Sequence, residues 1–212
     1  MKIELLRQSA FVITSQAGES IAVDLGSEVS QEAPARLKPT AALVSHLHPD
    51  HFHRPHLDAL GAPVYGPPDV VAQLEGATFP VHVVRPGDRL CLAGMEVEAF
   101  AADHGPNISA MIDNLGFTFR EAGKSILFLG DMAVETVVPG GPWDLVLIPV
   151  GCSKVFTPQE AATFLATLGH TGLAIPIHYH GRSDPGCGEA FRAIASAFSR
   201  VIVPAPGEQV AP

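Results

Sequence analysis

The segment AALVSHLHPDHFHRPH, residues 41–56, holds five of the chain's 10 histidines, His46, His48, His51, His53 and His56, together with Asp50. Imidazole and carboxylate are ligands that divalent transition metals take from proteins. Histidine is also common on solvated polar loops, so spacing has to decide between the two readings. The apolar run Ala41, Ala42, Leu43, Val44 reads as a buried strand. In its extended continuation side chains two apart share a face, which lets His46 and His48 reach one point together. Pro49 biases His48 toward extended backbone and lets the chain turn, so that Asp50 and His51 aim at a second point close by. That order is the geometry of metal ligands.

Three later residues stand where an expected strand runs into a loop: His104 after MEVEAFAAD, Asp131 at the end of SILFLGD, and His178 near the end of LAIPIHYH. Singly, each has an ordinary reading as a satisfied polar side chain or a turn residue. Together they complete a count. His46, His48 and His104 can bind one ion, Asp50, His51 and His178 a second, and Asp131 can bridge the two, which leaves a position for a shared water. Two divalent ions per chain are expected. The nitrogen-and-oxygen donor set favours zinc and also admits manganese or iron. His53 and His56 belong to the start of a helix beyond this site.

The elements that must position these residues follow from hydrophobic patterning. MKIELL, SAFVITS and SIAVDLG form a strand meander turning at Ala17 and Gly18. AALVSH, PHLDAL, APVYG and PPDVVAQLEG then alternate strand and helix. FPVHVV, RLCLAG and MEVEAFAAD are strands, and GFTFREAGKSILFLGD is a hairpin around Glu121 to Lys124. WDLVLIPVG is a buried strand, and Thr157, Pro158 and Glu160 make a capping box for the helix QEAATFLATLG. LAIPIHYH, GEAFRAIASAF and VIVPAPGEQV supply a strand, an amphipathic helix and a closing segment. Two comparable halves of this kind predict an α+β fold, two β-sheets face to face with helices outside.

Length and composition limit what the fold can serve. With 212 residues, 47% of them hydrophobic, the chain has material for one large core, and residues 1–212 are read as a single domain. A net charge of -9 disfavours nucleic acid and other polyanionic partners. Cys91, Cys152 and Cys187 are odd in number and lack Cys-x-x-Cys spacing, which supports neither a disulfide framework nor a cysteine zinc knuckle and fits a reducing compartment. Glu4 and Arg7 interrupt the apolar residues of the N-terminus, and no apolar run approaches the length of a membrane span. A soluble cytoplasmic protein acting on a small molecule is expected, with a homo-oligomer left open.

In order and separation, His46-x-His48-x-Asp50-His51, His104, Gly130-Asp131 and His178 resemble the motifs of the metallo-β-lactamase superfamily over nearly the whole chain. PVGCSKVFTPQEA, IPIHYH and the closing PAPGE resemble its branch of small metal-dependent hydrolases related to L-ascorbate-6-phosphate lactonase. The resemblance implies an αββα sandwich of two mixed sheets flanked by helices, with metals in a cleft at one edge. It further implies hydrolysis of an ester, lactone, amide or phosphoester. The ions would sit about 3.5–4 Å apart and bring a bridging water toward a pKa of about 7. Asp50 would hold one ion and move a proton. Asp24, where the family often carries an aspartate, would either orient a ligand histidine or cap its strand. His180 would contact substrate if the strand continues beyond His178, and is counted with Asp50 among the catalytic candidates. Cys152 is not expected as a ligand, and Lys154 and Arg182 are either anion contacts or solvated charges. Where the branch often has histidine before Ser-Ala-Phe, this chain has Gln8. A metal-dependent nuclease or phosphodiesterase is the alternative, although neither an inserted clamp nor a basic stretch accompanies the motifs. Family members that handle oxygen through iron typically have glutamate where this chain has His48.

Overall fold

Every residue of Leu145–Pro149 is buried, which requires cover on both faces of the strand they form. Alternation divides the load: Leu145 and Leu147 point between two sheets, whereas Val146 and Ile148 point to a helix layer holding Phe164, Leu165 and Phe191. The same division holds for the central strands of the computed structural model, which describes residues 1–105, 113–152, 154–169, 172–179 and 186–212.

The first half of the chain contains β1 (Lys2–Arg7), β2 (Ala10–Thr14), β3 (Ser20–Val23), α1 (Ala33–Arg36), β4 (Ala41–Leu43), α2 (Arg54–Leu60), β5 (Val64–Gly66), α3 (Pro68–Ala72) and β6 (Val81–Val83). The second contains β7 (Arg89–Leu92), β8 (Met95–Ala101), β9 (Leu115–Glu121), β10 (Lys124–Phe128), β11 (Leu145–Pro149), α4 (Pro158–Thr167), β12 (Leu173–Ile177), α5 (Cys187–Ala195), β13 (Arg200–Val201) and β14 (Gln209–Val210). Among the described residues these strands form two sheets, ordered β14-β1-β2-β3-β4-β5-β6 and β13-β12-β11-β10-β9-β8-β7. The arrangement is the expected αββα sandwich of two mixed sheets.

Phe11, Ile13, Ile21 and Val23 of one sheet meet Phe117, Phe119, Phe128, Leu147 and Ile175 of the other in the central core. Smaller layers lie outside each sheet. Ala10, Val12 and Ala22 pack under α1, and Ala42, Val44 and Val64 pack against Leu57 and Val70. The helix α4 starts as expected: Thr157 Oγ1 accepts from the Glu160 backbone N–H while the Glu160 carboxylate accepts from the Thr157 N–H.

Three details differ from the sequence expectations. The four-residue α1 was not anticipated, because APAR is too short to show a helical period. The closing VIVPAPGEQV divides: β13 pairs with β12, and β14 pairs with β1 in the other sheet. The strand LAIPIHYH ends at Ile177 instead of running on, since His178 adopts a positive φ of 65°. No described helix is long and apolar enough to cross a membrane.

Strand direction places the site. β3, β4, β5 and β6 are mutually parallel, as are β10, β11, β12 and β13, so the segments after β3, β4, β10 and β12 emerge at the carboxyl ends of parallel strands. A Leu115 N–H bond to the Ser45 carbonyl, 3.0 Å, ties the two sheets together there.

Candidate metal centre

Ser45, His46 and the turn that follows leave β4 at that edge. The His51 and Phe52 N–H groups both bond the His48 carbonyl, 2.9 and 2.8 Å, closing the turn that swings Asp50 and His51 back toward His46. The close approach on its other side requires glycine: a Cβ on Gly26 would stand 1.9 Å from the carbonyl carbon and oxygen of Asp50. Gly130, at φ 56°, delivers Asp131, and a Cβ there would come within 2.6 Å of the Leu115 carbonyl oxygen. His178 is held by its N–H bond to the carbonyl of Gln8, 3.2 Å.

The seven expected ligands come together as two groups sharing one carboxylate. His46, His48, His104 and Asp131 form one, and Asp50, His51, Asp131 and His178 the other, with the donor atoms of each group within 4.8 Å of one another. His46 Nε2 and His104 Nε2 lie 2.9 and 3.3 Å from His48 Nδ1. Two ligands at zinc-bond length in a tetrahedral shell stand about 3.3 Å apart, so this triangle has the right scale. Asp131 Oδ2 is the hub: it lies 3.0 Å from His51 Nε2, 3.1 Å from His178 Nε2, 3.5 Å from His104 Nε2 and 3.8 Å from His46 Nε2. Asp50 Oδ2 stands 3.3 Å from His178 Nε2 and 3.7 Å from His51 Nε2. Its side chain is 29% exposed, against 2% for that of Asp131, and so opens toward solvent.

Behind the ligands a buried relay fixes their orientation. Asp24 Oδ1 accepts from the Ser45 N–H at 2.7 Å, and Oδ2 accepts from the Ser45 hydroxyl at 2.6 Å and from His51 Nδ1 at 2.8 Å. Because its proton goes to Asp24, Ser45 Oγ is left to accept from His46 Nδ1, 2.9 Å away. Both imidazoles therefore turn an Nε2 lone pair toward Asp131. Of the two roles open to Asp24 from the sequence, the structure shows the orienting one. Ser45 was missed, because a serine between an apolar strand and a histidine carries no distinguishing pattern of its own.

A cation fits this arrangement on the donors' own chemistry. Once Nδ1 of His51 donates to Asp24, its Nε2 lone pair faces a carboxylate oxygen at 3.0 Å, and neither His51 Nε2 nor Asp131 Oδ1 has a hydrogen-bond partner among the described residues. Electrostatics points the same way. Burial pushes the His51 and His178 imidazoles down, but the Asp131 carboxylate outweighs it, helped by Asp24 at His51 and by Asp50 at His178; His51 ends well above its ordinary range and His178 at about 10. Burial pushes Asp131 up, yet His178 and His51 hold it well below the usual carboxylate range. Asp50 is likewise depressed, burial being outweighed by its contact with His178 and the charge of His51. His46 and His48 are lowered, chiefly by burial and then by neighbouring imidazoles. Three carboxylates thus draw positive charge inward, and protons supply it where no ion does.

The other residues singled out from sequence lie elsewhere. His53 stands at the start of α2 without a side-chain capping bond, and His56 is buried within the helix. Cys152 Sγ meets Cys187 Sγ and belongs to neither donor group. Lys154 is exposed. His180 and Arg182 lie outside the described residues, and the alternation that would have aimed His180 with His178 ends with β12 at Ile177.

Comparison with known proteins agrees with this geometry. Residues 2–178 match the model of the Beta-lactamase superfamily domain. A UPF0173 metal-dependent hydrolase of Cupriavidus necator is 31% identical, the alignment covering 97% of this chain and 83% of that protein. A metallo hydrolase of the archaeon Ignicoccus hospitalis superposes with a TM-score of 0.77 at 20% identity, covering 99% of this chain and 97% of the other. An isothiocyanate hydrolase from Delia radicum gut bacteria superposes with a TM-score of 0.75 at 17% identity, covering 100% and 98%. The fold, the gathered donors and these similarities lead to one assignment: the chain belongs to the beta-lactamase superfamily, within the UPF0173 family of metal-dependent hydrolases.

Proposed function

We propose that this hydrolase holds two divalent ions, zinc first, and cleaves a small-molecule ester, lactone, amide or phosphoester. The observation that carries the reading is the pair of donor groups joined at Asp131. His46, His48 and His104 would hold one ion, Asp50, His51 and His178 the other, and Asp131 both. Each sheet contributes: β4 leads to the first histidines, and β8, β10 and β12 lead to His104, Asp131 and His178. Neither half supplies a complete set, which supports treating residues 1–212 as one catalytic domain.

Ions bound there supply Lewis acidity, making hydroxide available at neutral pH and drawing electron density from the scissile carbonyl or phosphoryl group. The chain's own residues do the rest. Ser45 and Asp24 hold His46 and His51 in the tautomer that presents Nε2 inward. The buried Asp131 carries fixed negative charge between the two groups. Asp50, the more open carboxylate, would take a proton after attack or pass one to the leaving group. His180, expected as a substrate contact only if the strand continued past His178, keeps in support its place two residues beyond that ligand.

Elemental analysis of protein purified without chelators should approach two ions per chain. The metal-loaded protein should then turn over at least one member of a panel of lactones, thioesters, phosphodiesters and isothiocyanates, the last included because a protein of the same fold acts on them. A content below one ion per chain, with no uptake on adding metal, would overturn the reading.

A further inference from the structure

Cys152 and Cys187 are 35 positions apart in sequence and bring their Sγ atoms within 2.8 Å of each other. Cys152 is exposed in the loop after β11. Cys187 is buried and opens α5, directly after Gly186 in the left-handed conformation. A disulfide requires sulfurs about 2.05 Å apart, so bond formation asks less than an ångström of movement from a pair already in register.

Both sulfurs are held by the framework that carries His178. The Val150 N–H bonds the Ile177 carbonyl at 2.9 Å, and the Gly151 N–H bonds the Phe156 carbonyl at 2.8 Å, which fixes the loop on either side of Cys152. On the α5 side, the Tyr179 ring lies 3.0 Å from where a Cβ of Gly188 would stand, so the residue after His178 rests on the first turn of the helix. The third cysteine, Cys91, is exposed on β7, the strand at the opposite edge of the same sheet.

We propose that Cys152 and Cys187 form a reversible redox modification site, in which a peroxide-class oxidant converts the two thiols into a disulfide tying the loop after β11 to the first turn of α5. The exposed Cys152 sulfur attacks one peroxide oxygen; the O–O bond breaks, and hydroxide leaves and is protonated to water. The resulting sulfenic acid is attacked by the Cys187 sulfur, which forms the S–S bond and displaces a second hydroxide. The two thiol protons end in the two waters, and the two sulfurs together supply the two electrons that reduce the peroxide. Exposure at Cys152 admits the oxidant, while burial of Cys187 beside it makes the intramolecular bond outrun further oxidation. The inference is independent of the metal reading, since neither sulfur is in a donor group.

The test is non-reducing peptide mapping of the intact, reduced protein after treatment with hydrogen peroxide. The mass should fall by about 2 Da, for two hydrogens lost. One peptide pair should be joined through Cys152 and Cys187, and dithiothreitol should separate it. Cys91→Ser should behave as the parent, whereas Cys152→Ser should lose the link while keeping its circular dichroism spectrum. Because Cys187 is buried and its replacement can impair folding, the exposed Cys152 carries the control. Oxygen added at Cys152 without a link, a link between two chains, or a link through Cys91 would each overturn the proposal.

Discussion

Asp24→Asn tests whether the buried relay governs metal binding. The change keeps size and shape but replaces one carboxylate oxygen with an N–H donor. Asp24 accepts three hydrogen bonds of 2.6–2.8 Å, from the Ser45 N–H, the Ser45 hydroxyl and His51 Nδ1. An amide oxygen can keep the first. Its NH2 group then faces Ser45 Oγ and His51 Nδ1, where donor meets donor. The cheapest relief moves the His51 proton from Nδ1 to Nε2, which aims an N–H at Asp131 Oδ2, 3.0 Å away, where the lone pair is needed. Restoring the working tautomer against that preference should weaken binding about 10–100-fold, or roughly 1.4–2.7 kcal/mol. The loss should fall first on the ion that His51 would serve, and reach the one assigned to His46, His48 and His104 only through the disturbed Ser45 hydroxyl. Competition with a chromophoric chelator would resolve the two affinities, and imidazole nitrogen chemical shifts would report the tautomer. If folded Asp24→Asn bound both ions within twofold of the parent, the orienting role argued for Asp24 would be wrong.

Other perturbations separate the remaining roles. His104→Ala should deplete the group around His46 and His48, and His178→Ala the group around Asp50 and His51, each lowering metal content toward one ion per chain by elemental analysis. Were both variants to keep full content, the ligand assignment would fail. Asp50→Asn should lower turnover by about 100-fold or more even at saturating zinc, the scale of a lost acid–base group; a deficit that vanishes with added metal would reduce Asp50 to a ligand. Metal uptake should also release protons. His178, at about 10 in the metal-free fold against an ordinary 6.5, is protonated at neutral pH and has to lose that proton to bind an ion. Affinity should therefore rise with pH up to about 10. The same raised value stabilises the metal-free fold fully below about 6.5 and is lost as pH climbs through about 10, so the denaturation midpoint of chelated protein should decline over that window. Binding heats that did not vary with buffer ionisation enthalpy would contradict the release.

Much of this was legible in the sequence because metal ligands are constrained in type and the strands in period. His46-x-His48-x-Asp50-His51 announces a converging turn on spacing alone, and LVLIP announces a strand covered on both faces. Legibility failed where a role depends on contact across the fold. Ser45 gains its importance from an aspartate 21 positions earlier, and Gly26 from the Asp50 carbonyl that leaves no room for a Cβ. Neither shows in a local pattern. The Cys152–Cys187 contact likewise arises from the ends of β11 and α5 meeting, so counting cysteines and looking for short spacings could not find it.

The early end of the strand at Ile177 has a more specific cause, and it explains how the centre is built. Five described residues other than glycine have positive φ. Two of them, Ala93 and Ala122, sit in the turns between β7 and β8 and between β9 and β10, where left-handed backbone is ordinary. The other three, Gln8, Asp24 and His178, all belong to the candidate metal centre or bond directly to it. Each stands beyond the end of a strand, at a cost of order 1–3 kcal/mol where a side chain is carried into that region. The surroundings compensate: the Asp24 N–H bonds the Leu43 carbonyl at 3.0 Å, and Gln8 accepts from the His178 N–H, so that two left-handed residues hold each other. A strand continued in regular alternation would send successive side chains to opposite faces and could not converge donors from three strand ends on the carboxylate oxygen that a fourth delivers. Breaking the alternation at the last moment redirects His178 and Asp24 inward. A period-two reading must therefore fail at the residues that matter most, because their function depends on leaving that period.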